Sequence, residues 1–196
     1  MERSGRIELI DAAERLIAEQ GPAVSLRQIV VAAGQRNSAA IRYHFGSRED
    51  LIAAVIAQRQ AVFEPRRLVL LDEAEAAGEV TVAGLVRVLV EPAFEHQRRE
   101  GPGHHARFME KVRDLPEVVF TERADWPATS LLMRRLAALT GVQGVSPTAR
   151  AVRVRGLASV VLALLADLER EPAAGPQQRA EAEDAVVEMI VGCLGR

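Results

Sequence analysis

The chain has 196 residues, of which 48% are hydrophobic, and its 25 basic and 27 acidic residues give a formal charge of −2. This composition is too apolar for a disordered chain and fits one or two small domains with real cores. Aromatic residues make up only 4% of the chain, which favours a helical core of aliphatic residues over a β-sandwich. The single cysteine, Cys193, excludes an internal disulfide framework and a multi-cysteine zinc site.

No apolar run approaches the roughly 18 residues that a membrane span requires. The N-terminal segment is charged and amphipathic, and it lacks the uncharged core of a signal peptide. We therefore expect a cytoplasmic protein with no membrane partner.

Two helices are predicted before residue 35. Residues 4–20 repeat apolar positions with helical spacing, and Gly21-Pro22 ends the pattern. Ser25 and Gln28 form an S-x-x-Q capping box, which indicates the start of a second, short helix that ends at Gly34.

Two more helices follow within the first 65 residues. The third spans residues 38–45, with Asn37 or Ser38 as its cap and Gly46 closing it. The fourth helix is predicted to begin at Ser47 and to end near Pro65. A mixed link over residues 66–80 is expected after it.

The rest of the chain is also predicted to be helical, and no alternating pattern of convincing length indicates a strand. Helices are expected over residues 81–99, 104–119 and 127–141, after Pro147, and from Pro176 to Gly195. The last two are apolar over more than half of their circumference, so each needs two partners, one of which could be another subunit. The predicted dimer interface comprises Gly156, Ser159, Val160, Ala163, Val186, Val187, Met189 and Ile190.

The charge of the chain is unevenly distributed. Residues 20–48 contain four arginines and no acid, so this segment carries +4 and the remainder −6. Such a segment is typical of a phosphate-binding surface in an otherwise acidic protein. It coincides with the predicted helix, glycine-containing turn and short helix of residues 26–45, which is the spacing of a helix-turn-helix.

Residues 24–56 resemble the N-terminal DNA-binding region of TetR-type transcriptional regulators. The matching positions are Ala33-Gly34, His44-Phe45, Ser47-Arg48-Glu49 and Leu51. Two features depart from the family pattern: the turn Gln35-Arg36-Asn37 holds one extra residue, and Arg42 stands where the pattern has tyrosine. Both leave the register of the base-reading side chains open by one residue.

The resemblance implies an all-α fold in which a three-helix head is joined by a linking helix to a ligand-binding and dimerisation domain. The corresponding domains are residues 1–48, 49–65 and 66–196. It implies a ligand-responsive transcriptional regulator, most often a repressor, that binds a pseudo-palindromic DNA operator as a homodimer. It implies no cofactor, and the small-molecule effector is not identified.

By this resemblance, Arg27, Tyr43, His44 and Arg48 lie near phosphates. The candidates for base contact are Asn37, Ser38, Ala40 and Arg42, since Arg can form two hydrogen bonds to guanine and Asn to adenine. The full predicted DNA-binding set is Arg27, Arg36, Asn37, Ser38, Ala40, Arg42, Tyr43, His44 and Arg48. Tyr43 could equally staple the helices together, and His44 could be a structural histidine.

A ligand pocket is predicted where the few aromatic residues concentrate, between residues 94 and 126. An apolar cavity needs aromatic and flexible side chains, although each could also be ordinary core. The candidates are Phe94, His105, Phe108, Met109, Phe120 and Trp126. His96, His104 and His105 could suggest a metal, but their spacing lacks regular carboxylate ligands, and no metal site is predicted.

Two other classes of protein remain as alternatives. One is a helical enzyme or ligand carrier that retains the head only as a scaffold; the lack of convergent catalytic residues argues against it. The other is a structural dimerisation module, which would leave the acid-free arginine segment unexplained.

Overall fold

A computed structural model describes residues 2–37, 39–115, 126–141, 144–171 and 175–194, and every regular element in these ranges is a helix. The predicted all-α fold is therefore confirmed. The helices are α1 (Glu2–Gln20), α2 (Leu26–Ala32), α3 (Ala40–Phe45), α4 (Arg48–Ala77), α5 (Val82–Glu100), α6 (His105–Val112), α7 (Pro127–Leu139), α8 (Pro147–Arg170) and α9 (Pro176–Leu194).

The helices belong to two compact units. The first holds the residues up to Ala61 and the segment that begins at His104, and the second holds Val62–Gly103 and the described residues from Trp126 onward. Helix α4 therefore contributes its first half to one unit and its second half to the other. Helix α6 is shorter than the predicted 104–119, and residues 116–119 lie outside the described ranges.

The first unit is organised around α1, which packs against α2 and α6. Ile10, Ala13 and Ile17 recur at helical spacing on α1 and are buried, so most of the stripe predicted from the sequence faces the core. Its first residue, Ile7, is 43% exposed. Gly21 ends the helix with a φ of +87°, a left-handed conformation that glycine adopts without steric cost. Its amide donates to the carbonyl of Ile17 at 2.8 Å.

The prediction that the fourth helix ends near Pro65 is wrong, because α4 continues through this proline to Ala77. An internal proline costs about 3 kcal/mol, since it removes one amide donor and crowds the preceding turn. The residues around it are committed to the core: Phe63, Glu64, Arg67 and Leu71 are all buried. Their packing offsets the local cost, so the helix persists where the expected link would have been.

The second unit is organised around α5, which contacts α7, α8 and α9. Thr81 caps α5 by accepting a hydrogen bond from the Gly84 amide at 3.0 Å. The core contains Leu85 of α5, Leu132 of α7 and Ile190 of α9. Within the described ranges, no helix is long and apolar enough to cross a membrane.

Candidate nucleic-acid interface

Helices α2 and α3 and the turn between them form a helix-turn-helix in the first unit. The predicted capping box opens α2: Ser25 Oγ accepts from the Gln28 amide at 3.2 Å, and Gln28 Oε1 accepts from the Ser25 amide at 2.9 Å. Ile29 faces the core, and Gly34 leaves the helix with a φ of +68°. The side chain of Gln35 then donates to Glu8 of α1 at 3.2 Å, which holds the turn against α1.

Helix α3 is only six residues long, and Ala40 and Ile41 anchor it in the core. The residue at its N-cap is Ala39, one or two positions later than the Asn37 or Ser38 predicted. Asn37 still supports the helix start, because its Oδ1 accepts from the Ala39 amide at 2.9 Å. Gly46 closes the helix with a φ of +85°, as predicted.

The arginines of this motif point outward. Arg27, Arg36 and Arg42 are exposed, and none of them forms a hydrogen bond or ion pair with another described residue. Tyr43 is 73% exposed, an unusual position for a large aromatic side chain. The surface therefore offers uncompensated guanidinium groups and an aromatic ring to a partner, which is the chemistry that binds phosphates and bases.

Two predicted contact residues have other roles in this structure. Ala40 is only 7% exposed, so its methyl group packs in the core instead of facing outward. Arg48 donates through Nη2 to the backbone carbonyls of Pro22 and Val24. This guanidinium therefore ties the start of α4 to the segment that precedes α2. Ser38, also predicted to contact bases, lies outside the described residues.

The last predicted contact residue, His44, is half-buried between aromatic neighbours. Its ring centroid lies 4.9 Å from that of Tyr43 and 6.1 Å from that of Phe45. Arg6 of α1 approaches the opposite end of this group, with its guanidinium carbon 5.0 Å from the Phe45 centroid. The sequence did not indicate this cation–π contact, because no local pattern joins residues so far apart in the chain.

Residues 9–55 match the sequence model of a family described as bacterial regulatory proteins, tetR family. The similarity to the tetR family is therefore shown for this N-terminal segment. The resemblance found in the helix-turn-helix segment is thereby confirmed. A search of curated protein sequences finds no match to this chain.

Two of the solved structures that match this chain illustrate its fold. One is a crystal structure from Shewanella sp. PV-4 described as a tetR family transcription regulator, with a TM-score of 0.63, 14% identity and 96% of each chain covered. The other is NalD, the secondary repressor of the MexAB-OprM multidrug efflux pump in Pseudomonas aeruginosa, with a TM-score of 0.51, 20% identity and 100% and 99% of the two chains covered. At these identities the likeness establishes the fold alone.

A buried polar cluster completes the DNA-binding unit. Glu14 of α1 is 6% exposed; its Oε1 lies 2.9 Å from Nδ1 of His105 on α6, and its Oε2 accepts from Arg59 of α4 at 2.6 Å. Burial alone would raise the pKa of Glu14, but the hydrogen bond from His105 and the charges of His105 and Arg59 outweigh it and lower this pKa to about 2. The cluster connects three helices, and sequence reasoning did not detect it.

The predicted ligand-pocket residues are divided between the two units. His105, Phe108 and Met109 are buried in the first unit, on α6, which packs against α1. Phe94 and Trp126 are buried in the second unit. Phe120 lies outside the described residues.

His105 pairs with Glu14, and His104 accepts a hydrogen bond from Arg107 at 2.5 Å. Within the described ranges, no group of three His, Cys, Asp or Glu side chains could hold a metal ion.

The predicted interface residues also fall into two groups. Val186, Val187 and Ile190 are buried within the chain itself and face its own core. The others lie at least partly at the surface: Gly156, Ser159, Val160, Ala163 and Met189. Any contact with a second subunit would therefore use this second group.

Proposed function

We propose that this chain is a TetR-family transcriptional regulator: a homodimeric, ligand-responsive repressor that binds a pseudo-palindromic operator. The observation that carries the proposal is the helix-turn-helix with three exposed and uncompensated arginines, Arg27, Arg36 and Arg42. In this motif the second helix enters the major groove while the first crosses the backbone, and two heads contact half-sites about one helical turn apart. NalD, which shares the fold, is described as a repressor, and this supports repression as the direction of regulation.

The roles of the exposed residues follow from their chemistry. Arg27 and Arg36 suit phosphates, because exposed guanidinium groups release counterions from the DNA backbone when they bind. Arg42 lies on α3, the proposed recognition helix, and can donate two hydrogen bonds to one guanine. The exposed Asn37 can recognise adenine in the same way, and we assign Tyr43 and His44, which follow Arg42 on α3, to a backbone phosphate.

Regulation by a ligand requires a second site and two conformations of the dimer. We place the effector in the second unit, whose buried Phe94 and Trp126 are the aromatic residues suited to an apolar ligand. An effector that binds more tightly to a dimer unable to span both half-sites would lower DNA affinity by shifting the population. We assign to His105 the role of holding α6 against α1 and not a place in the ligand pocket, because its Nδ1 is paired with Glu14.

The first prediction concerns affinity for DNA of any sequence. The double variant Arg27→Ala, Arg36→Ala should bind roughly 100-fold more weakly, and the slope of log K against log salt should decrease by about 3 to 4, since four phosphate contacts per dimer are lost. Fluorescence anisotropy with a labelled duplex at several salt concentrations measures both. Arg134→Ala, an exposed arginine of α7, is the matched control. An unchanged slope would refute the phosphate contacts.

The second prediction concerns sequence preference. Arg42→Ala should remove the preference for a guanine in each half-site. Affinity for the best operator should fall roughly 10- to 100-fold, and affinity for unrelated DNA should stay almost unchanged. Selection of bound duplexes from a random pool, performed with both proteins, reveals the preferred bases. If the two selected motifs are identical, Arg42 does not read a base.

A further inference from the structure

The turn between α2 and α3 is held against α1 by one side chain. Among Gln35, Arg36 and Asn37, only Gln35 is part-buried, and the other two are exposed. The backbone amide of Gln35 donates to the Val30 carbonyl at 3.0 Å, which closes the end of α2. Its side chain is directed toward α1, where Nε2 donates to Oε2 of Glu8 at 3.2 Å. Gln35 therefore joins the end of α2 to α1 at the point where the turn begins.

The Gln35 side chain fits against α1 because residue 5 is glycine. Gly5 is buried, and a Cβ added to it would lie 2.9 Å from Nε2 of Gln35 and 3.8 Å from its Cδ. Carbon atoms in favourable contact are about 3.5–4.0 Å apart, so any side chain at this position would displace the Gln35 amide. Gly5 and Glu8 are three residues apart and share a face of α1. One leaves room for the amide, and the other accepts its hydrogen bond.

The backbone conformation of Gly5 does not require glycine. This residue lies inside α1, and its φ is not positive. Alanine is a better helix former than glycine, so glycine weakens the helix locally. What glycine provides at this position is the close approach of Gln35 to the helix.

The same end of α1 also contacts the last residue of α3. The guanidinium carbon of Arg6 lies 5.0 Å from the Phe45 centroid, a distance at which a cation is attracted to an aromatic ring. Helix α3 has only six residues, too few to be stable without tertiary contacts. Its placement therefore depends on its packing in the core and on contacts such as these at either end. The direction in which the exposed Arg42 points follows from that placement.

We propose that Gln35, packed on Gly5 and bonded to Glu8, is a positioning residue for sequence-specific DNA recognition. It fixes the turn, which holds one residue more than the family pattern, and thereby the position from which Arg42 reaches a base. The inference rests on the proposed DNA-binding function and adds a determinant of specificity that acts through another residue. Hydrogen bonds to a base edge need donor–acceptor distances of about 2.7–3.2 Å, so a shift of α3 by about 1 Å is enough to weaken them.

Two single variants and their combination test the role of Gln35. Gly5→Ala displaces its amide and Gln35→Ala removes it, so each should lower the ratio of operator affinity to unrelated-duplex affinity roughly 10-fold. Neither variant changes a charge, so affinity for the unrelated duplex should stay within about twofold. In the Gln35→Ala background, Gly5→Ala should have no further effect, because the amide that the added Cβ would meet is absent. Fluorescence anisotropy with a duplex selected by the wild-type protein and with a shuffled duplex measures both affinities.

Gln58→Ala is the matched control. Gln58 of α4 also donates from its side-chain amide to a carboxylate of α1, that of Asp11 at 3.0 Å, but it does not lie in the turn. Its loss should leave the affinity ratio unchanged. Thermal unfolding verifies folding, and Gly5→Ala should melt no lower than the wild type, because alanine favours the helix.

The outcomes separate the positioning role from the DNA-binding function. An unchanged affinity ratio in either single variant would overturn the positioning role and leave the DNA-binding function intact. A further loss when Gly5→Ala is added to Gln35→Ala would also overturn it, since Gly5 would then act by another route. A wild-type protein that binds no duplex would overturn the proposed function and the positioning role together.

Discussion

Replacement of Glu64 by alanine is expected to lower the free energy of unfolding of the second unit by about 3–5 kcal/mol. Glu64 accepts from Arg67 at 3.0 Å and from the backbone amides of Ala128 and Thr129 at 2.8 and 3.3 Å. It also accepts from the Thr129 hydroxyl. One carboxylate therefore neutralises a buried guanidinium and caps the start of α7.

The expected loss of stability is large because Glu64→Ala leaves the charge of Arg67 in the core. Arg67 is buried, and its other partners include the Leu89 carbonyl at 3.1 Å, the Thr129 hydroxyl and the Phe63 ring. Burial lowers the pKa of Arg67, and the charge of Glu64 opposes this effect. Without Glu64, the buried positive charge would lose the carboxylate that neutralises it, which costs far more than the loss of one hydrogen bond.

The only tryptophan of the chain offers a local measurement. Trp126 precedes Pro127, the first residue of α7, so its fluorescence during urea unfolding reports on the end that Glu64 caps. Glu73→Ala is the control, because its ion pair with Arg66 spans 3.7 Å at the surface and should contribute less than about 1 kcal/mol. Equal stability losses in the two variants would contradict the proposed role of Glu64.

The second large effect is an acid-dependent loss of stability in the DNA-binding unit. The pKa of Glu14 is lowered from its ordinary value of 4.5 to about 2 in the folded chain. As the pH falls, Glu14 is therefore protonated in the unfolded chain before it is protonated in the folded chain. The stabilisation from Glu14 is complete above about pH 4.5 and disappears as the pH approaches 2. A pKa difference of about 2.5 corresponds to about 3 kcal/mol.

Glu14→Gln should remove most of this pH dependence, since the amide cannot ionise. Hydrogen exchange of the α1 amides between pH 5 and pH 2.5, corrected for the intrinsic exchange rate, measures the local opening free energy. Asp11→Asn is the control, because Asp11 is exposed and bonds only the neutral Gln58 in the contacts described. A Glu14→Gln protein with the same acid profile as the wild type would disprove the effect.

Much of the fold follows from local patterns. The apolar stripe of α1, the Ser25–Gln28 capping box and the glycine after α3 each involve residues a few positions apart, and the structure places them as predicted except for Ile7, which is exposed. The starts of α7, α8 and α9 coincide with prolines, whose fixed φ and missing amide suit the first helical turn. Such signals act within a turn or two, so they can be identified without the tertiary structure.

Predictions failed where distant residues decided the outcome. A helix end near Pro65 was a sound local inference, but the burial of the surrounding side chains overrides it. Ala40 looked available to DNA until the packing of α3 buried it. His105 was assigned to a ligand pocket because it lies in an aromatic-rich stretch, but α6 packs against α1, and His105 pairs with Glu14.

The sequence by itself determined the helical class, the helix-turn-helix and the concentration of +4 on residues 20–48, because periodicity, caps and charge are local properties of the chain. Only the tertiary structure decided which charges are compensated. Glu14 and His105 are 91 residues apart, and Glu64 and Ala128 are 64 apart. Whether a buried charge finds a partner depends on how helix faces pack, whereas Arg27, Arg36 and Arg42 stay uncompensated because their side chains face solvent.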